Sequence, residues 1–150
     1  MVSKLDHTKR EQALKIREVF QASYAVEAEL LKAKDFPPLQ RDLDSFINAE
    51  TTFYGFIDEN KLAAAMEIKV EETFTHIQSL VVHPSFFRRG IGSKLLEFLF
   101  DSHNANLFIV ETGADNLPAI KLYELFGFKL VKQWMTDIGI EKVGFEKSIN

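Results

Sequence analysis

Leu80-Val81-Val82-His83-Pro84-Ser85-Phe86-Phe87-Arg88-Arg89-Gly90-Ile91-Gly92-Ser93-Lys94-Leu95-Leu96 carries an apolar strand through a proline and two glycines into a helix. A helix start holds several unpaired backbone N–H groups and the positive end of the helix dipole, which together suit an anion such as phosphate. Gly90 and Gly92 have no Cβ, so phosphate oxygens can come close to the main chain. Arg88, Arg89 and Lys94 add positive charge and fork-shaped donors. The dinucleotide pattern G-x-G-x-x-G fails, because Leu95 stands where the third glycine belongs. The P-loop pattern G-x-x-x-x-G-K-[ST] fails too: Gly92 is followed by Ser93, and Phe87 lies five positions before it. A tight strand-to-helix turn with no ligand accounts for the same residues equally well.

Upstream of this stretch, three strands are expected. Thr52-Phe53-Tyr54-Gly55-Phe56-Ile57 is rich in aromatic and β-branched residues, Leu62 to Val70 follows a polar turn, and Thr73 to Val82 ends at Pro84. Before them, residues 8–34 place Ile16, Phe20, Tyr24, Ala28 and Leu31 at steps of three and four, which is one helical face. Asp35-Phe36-Pro37-Pro38 breaks that helix, and a second is expected from about Leu39 to Ala49. Downstream of the loop, Leu107-Phe108-Ile109-Val110 reads as a strand covered on both faces. Asp115 or Asn116 can cap the next helix, with Pro118 in its first turn and Gly127 at its end. Strands over 129–136 and 143–149 complete the order α-α-β-β-β-α-β-α-β-β. The strand-helix-strand passage across 76–112 implies a right-handed parallel crossover. The fold expected is α/β: a mixed, mostly antiparallel central sheet with helices on its faces.

The 150 residues contain no repeat and no Pro/Gly/Ser linker, so one domain over 1–150 is expected. Such a length buries roughly 70% of the unfolded surface, and 14 Phe residues suggest an aromatic core. With no cysteine, thiol nucleophiles, disulfides and Cys-ligated metals are excluded. His7, His76, His83 and His103 show no paired ligand spacing, so no metal is expected. No apolar run approaches the ~20 residues that cross a bilayer, and the N-terminus has no signal-peptide stretch, so a cytoplasmic protein without a membrane partner is expected. A net charge of -4 argues against a nucleic-acid partner and suits a cationic one, though it also serves plain solubility.

Residues 80–96 resemble the central acetyl-CoA-binding motif of the GNAT superfamily of N-acetyltransferases. Asn116-Leu117-Pro118-Ala119-Ile120-Lys121-Leu122-Tyr123-Glu124-Leu125-Phe126-Gly127-Phe128 resembles the motif that follows it: an Asn, then a helix bearing Tyr and ending in Gly-Phe. The resemblance implies a splayed pair of parallel strands, here the one ending at Val82 and the one over 107–112. The pantetheine arm of acetyl-CoA would lie in that gap against the backbone of Leu80, Val81 and Val82. Its pyrophosphate would rest on Phe87, Arg88, Arg89, Gly90, Ile91, Gly92 and Ser93, and Asn116 would contact the pantetheine. One departure stands out: Phe87 occupies the position where the family usually has Gln or Arg.

Acetyl transfer to an amine requires the neutral amine. At an unperturbed pKa near 10.4, freeing it at pH 7 costs about 4.6 kcal/mol, which a general base offsets. The resemblance makes Tyr123 the candidate acid for the departing thiol; an amphipathic core tyrosine is the plainer alternative. Glu111, at the carboxyl edge of its strand, is the candidate base. It precedes Tyr123 by 12 residues, a spacing similar to that of the ribosomal-protein alanine acetyltransferase branch. A strand-end carboxylate facing solvent is its plainer alternative. Glu67 and His76 are reserves, and His83 is expected to shape the turn before Pro84. Phe36, Pro37 and Pro38 would border the acceptor site or pack as a surface turn. An N-acetyltransferase acting on a small-molecule or peptide amine is expected, with Tyr123 and Glu111 at its centre. A non-catalytic acyl-CoA-binding domain of the same fold is the alternative, for which Phe87 speaks. The terminal strands leave a homodimer open.

Overall fold

The computed structural model describes residues 1–149. Strand β1 is Val2–Leu5, helix α1 Arg10–Leu31, helix α2 Leu43–Ile47, and strands β2, β3 and β4 are Thr52–Asp58, Lys61–Val70 and Thr75–Val82. Helix α3 is Ile91–Ser102, β5 Leu107–Gly113, α4 Leu117–Leu125, β6 Lys129–Met135 and β7 Glu141–Ser148. The seven strands form one sheet in the order β1-β2-β3-β4-β5-β7-β6. Every neighbouring pair is antiparallel except β4 and β5, which are parallel.

The sheet is two-sided because its strands alternate apolar residues toward both faces. On one face, Ala13, Ile16, Val19 and Phe20 of α1 and Phe46 of α2 pack on Phe53, Ala65 and Val81. On the other, Ile91, Leu95, Leu96 and Leu99 of α3 and Tyr123 of α4 pack on Met66, Ile68, Ile77, Phe108 and Val110. Phe20, Phe46, Phe53 and Phe108 are among the largest fully buried side chains, in line with an aromatic core. No helix among the described residues is long and apolar enough to cross a membrane.

The expected architecture holds, with local differences. β1 is a strand the sequence pattern did not disclose. It pairs with β2 from Val2↔Phe56 to Leu5↔Phe53, and within it only Leu5 is buried, so no alternation shows. α1 is shorter than residues 8–34, because Lys32 turns into the left-handed region at φ 53 and closes the helix onto the carbonyls of Ala28 and Glu29. The second helix of 39–49 divides into a 3-10 turn over Pro37–Gln40 and α2. Arg41 and Asp42 are extended there, and the Asp42 side chain accepts the N–H of Ser45, which starts α2 afresh.

Candidate functional site

β4 and β5 are paired only at Thr75↔Phe108, His76↔Ile109 and Ile77↔Val110. Beyond Ile77 they diverge. Gln78 is an extra residue in β4, since the register with β3 passes from Glu67↔Ser79 to Ile68↔Ile77. Such a bulge bends the strand that carries it. Leu80, Val81 and Val82 remain paired with β3 but have no strand partner on their β5 side. Glu111, Thr112 and Gly113 remain paired with β7 and have none on their β4 side.

A cavity of about 720 Å³ occupies this gap. Its walls include Ser79 and Leu80 of β4, Glu111 to Gly113 of β5, Asn116 and Tyr123 at α4, and Tyr24 and Glu27 of α1. Phe36, Pro37 and Pro38 also line it, so the broken connection between α1 and α2 borders the cavity.

α1 ties both lips of the gap. Tyr24 Oη donates to Ser79 Oγ at 3.0 Å on the β4 side. Glu27 Oε1 accepts from Thr112 Oγ1 at 3.3 Å and from Asn116 Nδ2 at 3.1 Å on the β5 side. Asn116 also caps α4, accepting the N–H of Ala119 at 3.4 Å. Tyr24 and Glu27 are three apart on one helix, which places them side by side. Neither was singled out as a site residue from sequence. The signal was present: Glu27 is a carboxylate set between Tyr24 and Leu31 on the apolar face of α1.

Tyr123 is 4% exposed and meets the cavity. Burial raises its phenol above the usual tyrosine range, aided by Tyr24 and the negative charge of Glu27, and no hydrogen bond contributes. Burial raises Tyr24 as well, partly offset by its bond to Ser79.

The other candidates separate. Glu111 lines the cavity, and its Oε2 lies 3.0 Å from Lys132 Nζ of β6. Lys132 reaches it by lying across Gly144 of β7, where an added Cβ would meet its methylenes at 2.9 Å. Glu67 also lines the cavity but is fully engaged. Arg41 grips it at 2.7 and 3.2 Å, Thr51 Oγ1 donates to it at 2.7 Å, and the guanidinium lies 4.1 Å from the Phe46 ring centre. His76 is not part of the wall. Its Nδ1 faces Gln78 Nε2 at 3.1 Å, and burial holds its imidazole below the usual 6.5. His83 shapes the turn: its Nδ1 accepts the N–H of Ser85 at 3.1 Å.

At the end of β4 the chain passes Pro84–Phe86 and reaches the glycine loop. Arg88 and Gly90 both adopt the left-handed region, at φ 63 and φ 72. Gly90 caps α3 with no side-chain bond, and an added Cβ there would meet nothing within 4 Å. Among the described residues, the amides of 88 to 93 have no acceptor; the first bonded amide of α3 is Lys94 N–H, donating to Gly90. Phe87, Arg88, Arg89 and Gly90 are exposed, while Ile91 is anchored in the core and Gly92 packs on Leu122. Arg89 pairs with Asp58 at 3.2 Å and lies over Phe86, whereas Arg88 makes no ion pair among the described residues.

A splayed parallel pair, with a glycine loop of free amides leading from its first strand into a helix, is the arrangement that the resemblance in sequence implied. The chain belongs to the acetyltransferase (GNAT) family, whose model matches residues 14–128. It is 32% identical over 130 residues to the UPF0157 protein YqkA of Bacillus subtilis, covering 86% of this chain but 38% of that protein. It is 29% identical over 115 residues to the [ribosomal protein bS18]-alanine N-acetyltransferase of Salmonella typhimurium, covering 66% of this chain and 78% of that one. An N-alpha-acetyltransferase of Sulfolobus acidocaldarius is 38% identical over 61 residues, 36% of its length. The chain thus spans little more than a third of two of these relatives. Among solved structures, the ribosomal-protein-S18-alanine N-acetyltransferase of Escherichia coli superposes with a TM-score of 0.79 at 21% identity, covering 100% of this chain and 94% of that one. The PaiA N-acetyltransferase of Thermoplasma acidophilum, in complex with coenzyme A, gives 0.72 at 17% identity, with 99% of each chain covered.

Proposed function

We propose that the chain is an acetyl-CoA-dependent N-acetyltransferase that moves the acetyl group directly to a primary amine of a small molecule or peptide. The observation that carries it is the continuity of two unfilled hydrogen-bonding surfaces. The free edges of β4 and β5 open beside the cavity, and β4 leads straight into a loop whose amides at 88 to 93 have no internal acceptor. The exposed amides of a helix start are open to an anion, and an elongated anionic ligand with an amide-bearing arm would meet both sets.

The residues fit acetyl-CoA. The amides of 88 to 93 would hold its diphosphate, with Arg88 free to add charge and the open space at Gly90 admitting phosphate oxygens. Phe87 offers no polar group, so the main chain carries this task. The edge of Leu80 to Val82 would pair with the amide-bearing arm. Acetyl-CoA, when bound, supplies an acetyl group activated as a thioester. Tyr123 holds a phenolic proton at the cavity wall, available to the departing sulfur. Glu111, on the β5 lip of the same cavity, takes the proton that an acceptor amine must lose. The Salmonella relative, which its name describes as acting on an alanine of a ribosomal protein, makes peptide N-termini the first acceptors to try.

Thiol release from acetyl-CoA, followed with peptides, polyamines, aminoglycosides and amino acids, tests this function. Acceptor-dependent release is expected, falling about 100-fold or more in Tyr123→Phe with CoA affinity kept. A non-catalytic acyl-CoA sensor has one observation in its favour, the 43% exposed Phe87 on the loop. Tight binding of acetyl-CoA with no release across the whole panel would select the sensor.

A further inference from the structure

Four carboxylates line the cavity: Glu27, Glu67, Glu111 and Asp137. Three of them reach into it from α1 and the sheet, and two of those three are already matched by a cation. Arg41 holds Glu67 through both oxygens, and Lys132 stands 3.0 Å from Glu111. Glu27 has no ion-pair partner among the described residues. Its bonds are two neutral donors, Thr112 and Asn116, and both fall on Oε1. Oε2 is left without a partner. Oε2 is not sealed from the cavity, so a cation that enters beside it gains a charge-assisted hydrogen bond.

The surroundings also suit a cation of one shape. Tyr24 is one turn away on α1, and Tyr123 faces the same cavity from α4. Both are close enough to feel the charge of Glu27. An alkylammonium placed there would meet one carboxylate oxygen and aromatic walls, the combination that holds amine cations in other sites. The cavity that contains Glu27 also contains Tyr123 and Glu111, so an amine docked there lies where acetyl transfer is proposed to occur.

Given the acetyl transfer proposed above, we infer that Glu27 is the anchor for the acceptor's ammonium group, and that the acceptor enters as a primary alkylammonium ion. Glu27 binds the cation, and Glu111 removes the proton. The specificity follows: the cavity takes cationic amines and rejects neutral isosteres.

The test needs neither acetyl-CoA nor turnover. n-Butylammonium chloride is titrated into the isotopically labelled protein, with 1-butanol as the neutral control. Saturable NMR shifts are expected at the Asn116 side-chain amide and the Thr112 main-chain amide, with butylammonium only. Glu27→Gln keeps the Oε1 acceptor for Thr112 and Asn116, so the fold is retained, and it is expected to abolish these shifts. Glu111→Gln is expected to keep them. Shifts absent in the wild type, equal with butanol, unchanged in Glu27→Gln or lost in Glu111→Gln would each overturn the assignment. In the thiol-release assay, Glu27→Gln should raise the acceptor KM about tenfold or more, with a smaller effect on kcat. An unchanged KM would count against it. The proposed acetyl-CoA binding is judged separately by titration with CoA, so either idea can fail alone.

Discussion

The Tyr123 phenol is held above the usual tyrosine range by burial first, then by Tyr24 and Glu27. The sign of that shift favours the protonated form, so the proton stays on the oxygen throughout the neutral range and beyond pH 10. The turnover rate should therefore show no alkaline fall from loss of this proton between about pH 7 and 9. A profile of kcat against pH checks it, and a decline in that interval that disappears in Tyr123→Phe would refute the upward shift of the phenol. Tyr123 was legible in sequence because the Asn-to-Gly-Phe motif fixes the helix that carries it. Glu27 was not, because its importance lies in contacts with Thr112 and Asn116, 85 and 89 residues away. A periodic pattern tells which side of a helix is apolar, not which strand end will lie against it.

Two elements carry most of the geometry. The glycine loop depends on a left-handed Gly90, where any side chain is strained by about 1–2 kcal/mol. Gly90→Val should lower stability by that amount in urea unfolding. Its isopropyl group would also occupy the open space beside the amides and weaken CoA binding by about tenfold or more. Lost stability with unchanged affinity would mean that the loop does not hold the ligand. The connection between α1 and α2 depends on Arg41, which bonds Ser45, grips Glu67 and covers Phe46. Arg41→Met leaves Glu67, whose side chain is 5% exposed, without its cation. A destabilisation of about 3 kcal/mol is expected by chemical denaturation, since an orphaned buried charge costs that much. The sequence showed the break at Pro37-Pro38 but not this clamp. An arginine in a polar turn looks like a solvated residue until the strand that supplies its partner is placed.

Over the whole molecule, the order of strands and helices was readable because each element has a strong local period or a strong punctuator. The switch from period 3.6 to period 2 near residue 50, the apolar run at 107–110 and the glycines at 90, 92 and 127 are of that kind. What escaped was β1, whose four residues bury only Leu5, and the division of the second helix. Short elements owe their form to their neighbours: β1 exists because β2 offers it an edge. The splay itself is also nonlocal. It comes from the Gln78 bulge together with the separate commitments of β4 to β3 and of β5 to β7.

That splay and the loop that continues it are the centre of the account, and calorimetric titration of the purified protein with CoA and acetyl-CoA tests them most directly. Saturable heat at one ligand per chain, weakened in Gly90→Val, is the predicted result. No measurable association with either ligand would contradict it.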